Sequence, residues 1–191
     1  MSRISKTPFP DVGEHRDMST NTESIRGATG AHTTDGRPRT ATSLTPFLAI
    51  RDAARALEFY RDVFGARVTD VTEFDGVVVH AGLDFGLGLL QIGEPVPTYG
   101  TVPPPDDGDA ACYSMGLYVP DVDALTARAA AAGATVREEP STFVSGDRFA
   151  SIRDPFGVRW SIMTRVEDLS EEEAAARVAE WAAAQSAAGG S

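Results

Sequence analysis

One pattern of punctuation occurs twice in this chain, and it limits the available folds more than any single residue does. Ile50-Arg51-Asp52 opens a stretch with helical spacing that closes at Phe64-Gly65-Ala66, and strand-like segments follow as far as Asp84-Phe85-Gly86. Val119-Pro120-Asp121 opens a second such stretch, closed by Ala132-Gly133-Ala134 and followed by strand-like segments up to Asp154-Pro155-Phe156-Gly157. The opening Asp and closing Gly lie 13 residues apart in the first copy and 12 in the second; from that Gly to the hairpin Gly the separations are 21 and 24. A fixed order of strand, helix and further strands, used twice, implies two similar units that pack together to bury their apolar faces.

The elements follow from local chemistry. Residues 44–50 read as a short strand, and Asp52 is a plausible N-cap whose side chain accepts from free backbone N–H groups. Leu57, Tyr60 and Phe64 recur at i, i+3 and i+7 on one helix face, and Gly65 closes the helix. Residues 67–72, 77–83 and 87–92 read as three strands, with Asp75-Gly76 supplying turn chemistry between the first two. The Pro- and Asp-rich stretch 93–109 is a linker or a loop over one unit. The second unit repeats the order: a strand over 113–118, a helix over 121–132, and strands over 135–138, 149–152 and 159–163. Asp154-Pro155-Phe156-Gly157 fits a type I turn. Ser170 and Glu173 form a capping box for a C-terminal helix, with Val178 and Trp181 on its narrow apolar stripe.

The fold class is therefore α+β, with two tandem βαβββ modules and a C-terminal helix. The predicted boundaries are a tail over 1–42, a two-module domain over 43–165 (modules about 43–93 and 110–165) and the helix over 166–187. The tail is rich in Ser, Thr, Gly, Arg and Asp with little apolar periodicity, so disorder is expected there. Met18 lies inside it as an alternative start of translation.

Composition excludes several classes. The net charge of -11 and the lack of a basic stripe argue against a nucleic-acid partner. No apolar run approaches a membrane span, and the N-terminal residues lack the apolar core of a signal peptide. The single cysteine, Cys112, rules out an internal disulfide framework and fits a reducing cytoplasm.

Three groups of residues carry a resemblance to a known family. They are Phe59-Tyr60-Arg61-Asp62-Val63-Phe64-Gly65, Val119-Pro120-Asp121-Val122-Asp123 with Ala132-Gly133-Ala134, and Gly146-Asp147-Arg148 ahead of Arg153-Asp154-Pro155-Phe156-Gly157-Val158-Arg159-Trp160. In this order and at these separations the chain resembles the vicinal oxygen chelate superfamily over about residues 44 to 165. That superfamily includes glyoxalase I, extradiol dioxygenases, fosfomycin-resistance enzymes and bleomycin-resistance proteins. The resemblance implies that each module curls its mixed sheet into a half-open cup, that a small molecule sits in the cup, and that chains pair as homodimers. It also implies metal-ligand positions on the first and fourth strands of each module, which fall here on Thr45, Gln91, Cys112 and Ser161. These are not the imidazole and carboxylate donors that a divalent oxygen-chelating site wants. No metal or other cofactor is expected at these positions; a displaced site using His80 with Asp84, Glu73 or Asp147 is the alternative.

Strand alternation gives an independent reading of which side chains face the cup. Thr45 and Phe47 point inward from the first strand, His80 and Gly82 from the third, and Leu89 and Gln91 share a parity on the fourth. In the second module Cys112, Ser114, Gly116 and Tyr118 share the inward parity, as do Arg159, Ser161 and Met163. The predicted ligand-binding set is Thr45, Phe47, Leu89, Gln91, Cys112, Ser114, Tyr118, Arg159, Ser161 and Met163, with His80 as the candidate catalytic base. Cys112 is expected as a small buried side chain rather than a nucleophile, and Asp147 with Arg148 as an ion pair or turn brace. The expected function is metal-independent binding of an apolar or aromatic metabolite or antibiotic, by sequestration or processing. The alternatives are a lyase or isomerase using His80, and a metal-dependent glyoxalase or dioxygenase with displaced ligands.

Overall fold

A computed structural model describes residues 26–106 and 109–188. After a small hairpin, β1 (Thr33–Thr34) and β2 (Arg37–Pro38), the first module runs β3 (Phe47–Ala49), α1 (Ala53–Phe64), β4 (Arg67–Phe74), β5 (Val77–Asp84) and β6 (Leu89–Gly93). A short 3₁₀ turn at Pro97–Tyr99 leads to the second: β7 (Met115–Tyr118), α2 (Val122–Ala131), β8 (Thr135–Thr142), β9 (Asp147–Arg153) and β10 (Arg159–Arg165). The helix α3 (Glu171–Ala188) follows. Each module builds a four-stranded mixed sheet, in the orders β3-β6-β5-β4 and β7-β10-β9-β8, with its first strand parallel to its fourth. This is the α+β class and the doubled βαβββ order read from the sequence.

The helix ends explain the punctuation. Gly65 closes α1 in the left-handed conformation (φ 73°), and its N–H donates to the Tyr60 carbonyl. Asp121 caps α2 through Oδ1, which accepts from the Ala124 N–H at 2.9 Å. Asp52 does not cap α1 in this way. It is itself left-handed (φ 58°), and Glu94 substitutes for it, its Oε1 accepting from the Ala53 N–H at 2.8 Å. In the capping box the Ser170 N–H donates to Glu173 Oε2 (2.9 Å) and the Glu173 N–H donates to Ser170 Oγ (3.2 Å).

Part of the expected disordered tail is instead folded. Residues 26–42 hold the β1–β2 hairpin, turned by Asp35-Gly36 with φ of 47° and 80°. Two consecutive positive φ values define the tight turn that Asp-Gly favours, a local signal stronger than the polar composition around it. The remaining tail, with Met18 and His15, lies outside the described residues. Asp147 and Arg148 do not pair with each other, because neighbours in a strand point to opposite faces. Arg148 Nε and Nη2 donate to Asp123 at 2.6 and 2.7 Å, whereas Asp147 meets Arg165 and accepts from the Tyr118 hydroxyl at 3.2 Å.

One core serves both modules. Leu48, Ile50, Leu83 and Ile92 from the first module are buried with Ala150, Ile152, Trp160 and Ile162 from the second. The rings of α1 reach into the second module: Phe64 stands edge-on to Trp160 at 4.7 Å, Tyr60 to Trp160 at 5.5 Å, and Phe59 to Phe156 at 5.9 Å. Two polar links cross the same boundary. The Tyr60 hydroxyl donates to Asp154 Oδ2 at 2.7 Å, and Arg128 Nε donates to the Val63 carbonyl at 2.8 Å.

Candidate functional site

With one face of each sheet committed to the shared core, the other face of each stays open and carries the chemistry. Alternation decides what stands there. On β10, Trp160 and Ile162 are buried while Arg159, Ser161 and Met163 are half-buried on the opposite side. On β7, Gly116 and Tyr118 are exposed, and Met115 and Leu117 pack against the core.

The open face of the second module gathers Ser114, Tyr118, Arg159, Ser161 and Met163. Ser114 Oγ, one residue ahead of β7, lies 2.8 Å from Ser161 Oγ of β10, and Ser161 stands directly opposite Ser151 of β9. Arg137, at a register shift in β8, directs Nη1 toward Ser151 Oγ at 3.4 Å and donates through Nε and Nη2 to the carboxylate of Asp109. That fork holds the Asp109 carboxyl below the usual carboxylate range, helped by the charges of Arg159 and Arg153. Sequence reading did not single out Arg137, Ser151 or Asp109 for this face. Arg137 sits at an irregularity that breaks alternation, and Asp109 belongs to the linker, where no periodicity applies. Cys112 also lies ahead of β7, outside the strand, and is exposed rather than buried.

The first module's open face holds Phe47, His80, Gly82 and Gln91. His80 stacks on Phe47 with ring centroids 6.3 Å apart, and its Nδ1 lies 3.0 Å from Asp70 Oδ2. Thr45, Leu89 and Gln91 line a hollow of about 430 Å³, shared with Pro38 at the end of the N-terminal hairpin and with Thr40 and Ala41 just after it. Thr45 Oγ1 is 2.7 Å from Thr42 Oγ1. Leu89 also borders a second hollow of about 450 Å³, between the β5–β6 turn and the edge of β7, lined with Phe85, Met115, Leu117, Tyr118 and Trp160. The predicted residues thus divide into two sets: Thr45, Phe47 and Gln91 with His80, and Ser114, Tyr118, Arg159, Ser161 and Met163. Leu89 adjoins both.

The donor set does not suit a divalent metal. The Thr45 and Ser161 hydroxyls each face another hydroxyl, and Cys112 stands apart as a lone soft ligand. His80 has Asp70, and among the described residues no three His, Cys, Asp or Glu side chains come together in a group able to hold a metal ion. Nor is any described helix long and apolar enough to cross a membrane.

Comparison with known proteins agrees with this architecture. The family model described as the Glyoxalase/Bleomycin resistance protein/Dioxygenase superfamily matches residues 36–162. An uncharacterized protein of Mycobacterium bovis is 34% identical over 134 residues, which cover 69% of this chain and 88% of that protein. The crystal structure of TioX from Micromonospora sp. ML1 is similar with a TM-score of 0.51 and 30% identity, covering 65% of this chain and 99% of TioX. The structure of protein SA1046 from S. aureus shares the fold at a TM-score of 0.52 and 18% identity, covering 65% of this chain and 94% of that one.

Proposed function

The chain belongs to the Glyoxalase/Bleomycin resistance protein/Dioxygenase superfamily, and from that footing we propose that it binds an apolar or aromatic small molecule without a metal, to sequester or process it. The observation that carries this reading is the hollow of about 450 Å³ beside β7, walled by Phe85, Leu89, Met115, Leu117 and Tyr118. A mostly apolar concavity with one side-chain hydroxyl, that of Tyr118, among its lining residues suits a small organic ligand. The poor donor set at Thr45, Gln91, Cys112 and Ser161 supports independence from metal.

We also assign the protein to the cytoplasm, on its single cysteine, and to a homodimer. The dimer reading draws on two features: among the described residues β3 and β7 each pair on one side only, and Phe47, Leu87 and Tyr118 near those edges are exposed. An open strand edge beside exposed apolar side chains invites a second chain.

A thermal-shift screen of aromatic metabolites and antibiotics tests the binding reading, since a ligand that binds the native state raises its midpoint. At least one compound raises the midpoint saturably, quenches Trp160 in a Trp181→Phe background, and loses both effects in Tyr118→Ala and Leu89→Ala. A screen with no hits, or hits indifferent to both substitutions, contradicts it.

The pairing of His80 with Asp70 at 3.0 Å favours one further reading, a lyase or isomerase in which Asp70 orients His80 as general base. Turnover of a screened ligand that vanishes in His80→Ala and falls in Asp70→Asn establishes it. Binding without product, unchanged by either substitution, removes it.

A further inference from the structure

Arg137 is fixed by the fold, but its ion-pair partner is not part of either sheet. The side chain of Arg137 is only 17% exposed, and Ser151, toward which its Nη1 points, is buried. Asp109 lies in the linker between the modules and is 61% exposed. The pair is forked, with Nε and Nη2 each meeting one carboxylate oxygen, the geometry by which a guanidinium recognises a planar carboxylate. A held arginine facing a carboxylate on an exposed loop has the form of a binding site filled by the chain's own side chain.

The surroundings extend that site. Arg153 donates through Nη2 to the Pro105 carbonyl, so a second arginine of this module also meets the linker. Ser161 stands opposite Ser151, and Met163 stands opposite Phe149 two residues further along both strands. Residues two apart on a strand are about 7 Å apart on the same face. The face therefore offers a guanidinium at one end and an apolar pair about one strand repeat away.

We propose that Arg137, with Ser151 behind it, is the carboxylate-binding end of the ligand site on the second module, and that Asp109 occupies it as an internal competitor until a carboxylate-bearing ligand displaces it. This rests on the small-molecule reading but places the ligand on the open face of the second module rather than in the hollow beside β7, and it names the ligand class: a compound with a carboxylate about 7 Å from an aromatic or aliphatic body. Asp109 takes no part in either sheet or in the core, so its removal leaves the fold intact.

The test uses the full chain with two probes of the same shape, 3-phenylpropanoate and its neutral amide, titrated calorimetrically into wild type, Asp109→Ala and Arg137→Gln. Removing the competitor tightens binding of the acid at least tenfold in Asp109→Ala and leaves the amide unchanged. Arg137→Gln abolishes the preference for acid over amide while still binding the amide, which shows that it is folded. Acid affinity equal in wild type and Asp109→Ala overturns the proposal. So does an acid that binds Arg137→Gln as tightly as wild type. If the amide still binds in those cases, the small-molecule reading stands and only the carboxylate site falls; if neither probe binds any variant, both fall. Tight acid binding to Asp109→Ala with no binding of the amide to any variant upholds the site and removes the apolar part of the reading.

Discussion

The two modules share an order of elements but not a division of labour. Counted from the Asp that opens each helix, Tyr60 of α1 matches Ala129 of α2, and Leu57 matches Thr126. The first helix therefore carries a ring that reaches the other module, and the second carries only a methyl group at the matching place. The hairpin turns differ in a complementary way. Asp84 is the last residue of β5 and shares the open-face parity of His80 and Gly82; it pairs with Arg67 at 2.5 Å and accepts from the Gly86 N–H at 2.7 Å. Asp154 comes one residue past the end of β9 and shares the inward parity of Ile152 and Ala150. A shift of one residue turns a side chain to the opposite face. Asp154 is accordingly buried, where it accepts from the Tyr60 hydroxyl, the Trp160 indole N–H at 2.9 Å, and the Phe156 and Val158 N–H groups, each at 2.9 Å. The lesson is that the duplication supplies two similar frames, and unequal side chains at matched places make them one domain.

The most severe way to break this asymmetry is Asp154→Ala. It strands four donors in the core, and buried unsatisfied polar groups cost about 1–3 kcal/mol each. We expect a loss of roughly 3 kcal/mol or more in urea unfolding, with Asp84→Ala changing the midpoint far less. Equal losses would mean that the two turns do the same work.

A finer break is Tyr60→Phe, which keeps the ring packing and removes one donor to Asp154. It should cost about 1–2 kcal/mol. The same carboxylate sets a pH signature. Burial raises the Asp154 carboxyl above its usual value despite the hydrogen bonds from Trp160, Tyr60 and the backbone. Between its unfolded and folded pKa values the native state binds more protons than the unfolded one. Stability from this group is therefore complete below the unfolded pKa and falls as pH rises through the folded pKa. Asp84 has the opposite sign. The Gly86 N–H and then Arg67 hold its carboxyl below the usual value, so its contribution is present above the unfolded pKa and lost as pH falls through the folded one. Unfolding measured from acid to neutral pH should show the downward step missing in Asp154→Asn alone.

The smallest change sharpens the comparison from the other helix. Thr126 is buried, and its hydroxyl has no hydrogen-bond partner among the described residues where α1 places Leu57. Thr126→Val should raise stability by about 1 kcal/mol. A loss of similar size would show that the hydroxyl has a role.

Much of the frame was legible in the sequence, because helix closure at Gly65, the cap at Asp121, the Asp75-Gly76 turn and the Ser170–Glu173 box are local signals. Alternation also separated Trp160 and Ile162 from Arg159, Ser161 and Met163. What escaped was non-local. Nothing near Asp52 announces that Glu94 caps its helix, and nothing near Tyr60 names Asp154 as its partner. Arg137 escaped because its strand slips register there, and Asp109 because linkers carry no period. The β1–β2 hairpin escaped for another reason: its Asp35-Gly36 turn was outweighed by a composition argument taken over the whole tail.

The central claim is that this member of the superfamily holds its ligand with its own side chains and not through a metal. The most direct measurement is the affinity of the best screened ligand before and after exhaustive removal of divalent ions, with bound metal assayed in the same samples. The account predicts the same dissociation constant in both, less than one ion per chain, and weakened binding in Tyr118→Ala. Affinity that disappears with the ions and returns with one equivalent of a divalent metal would contradict it.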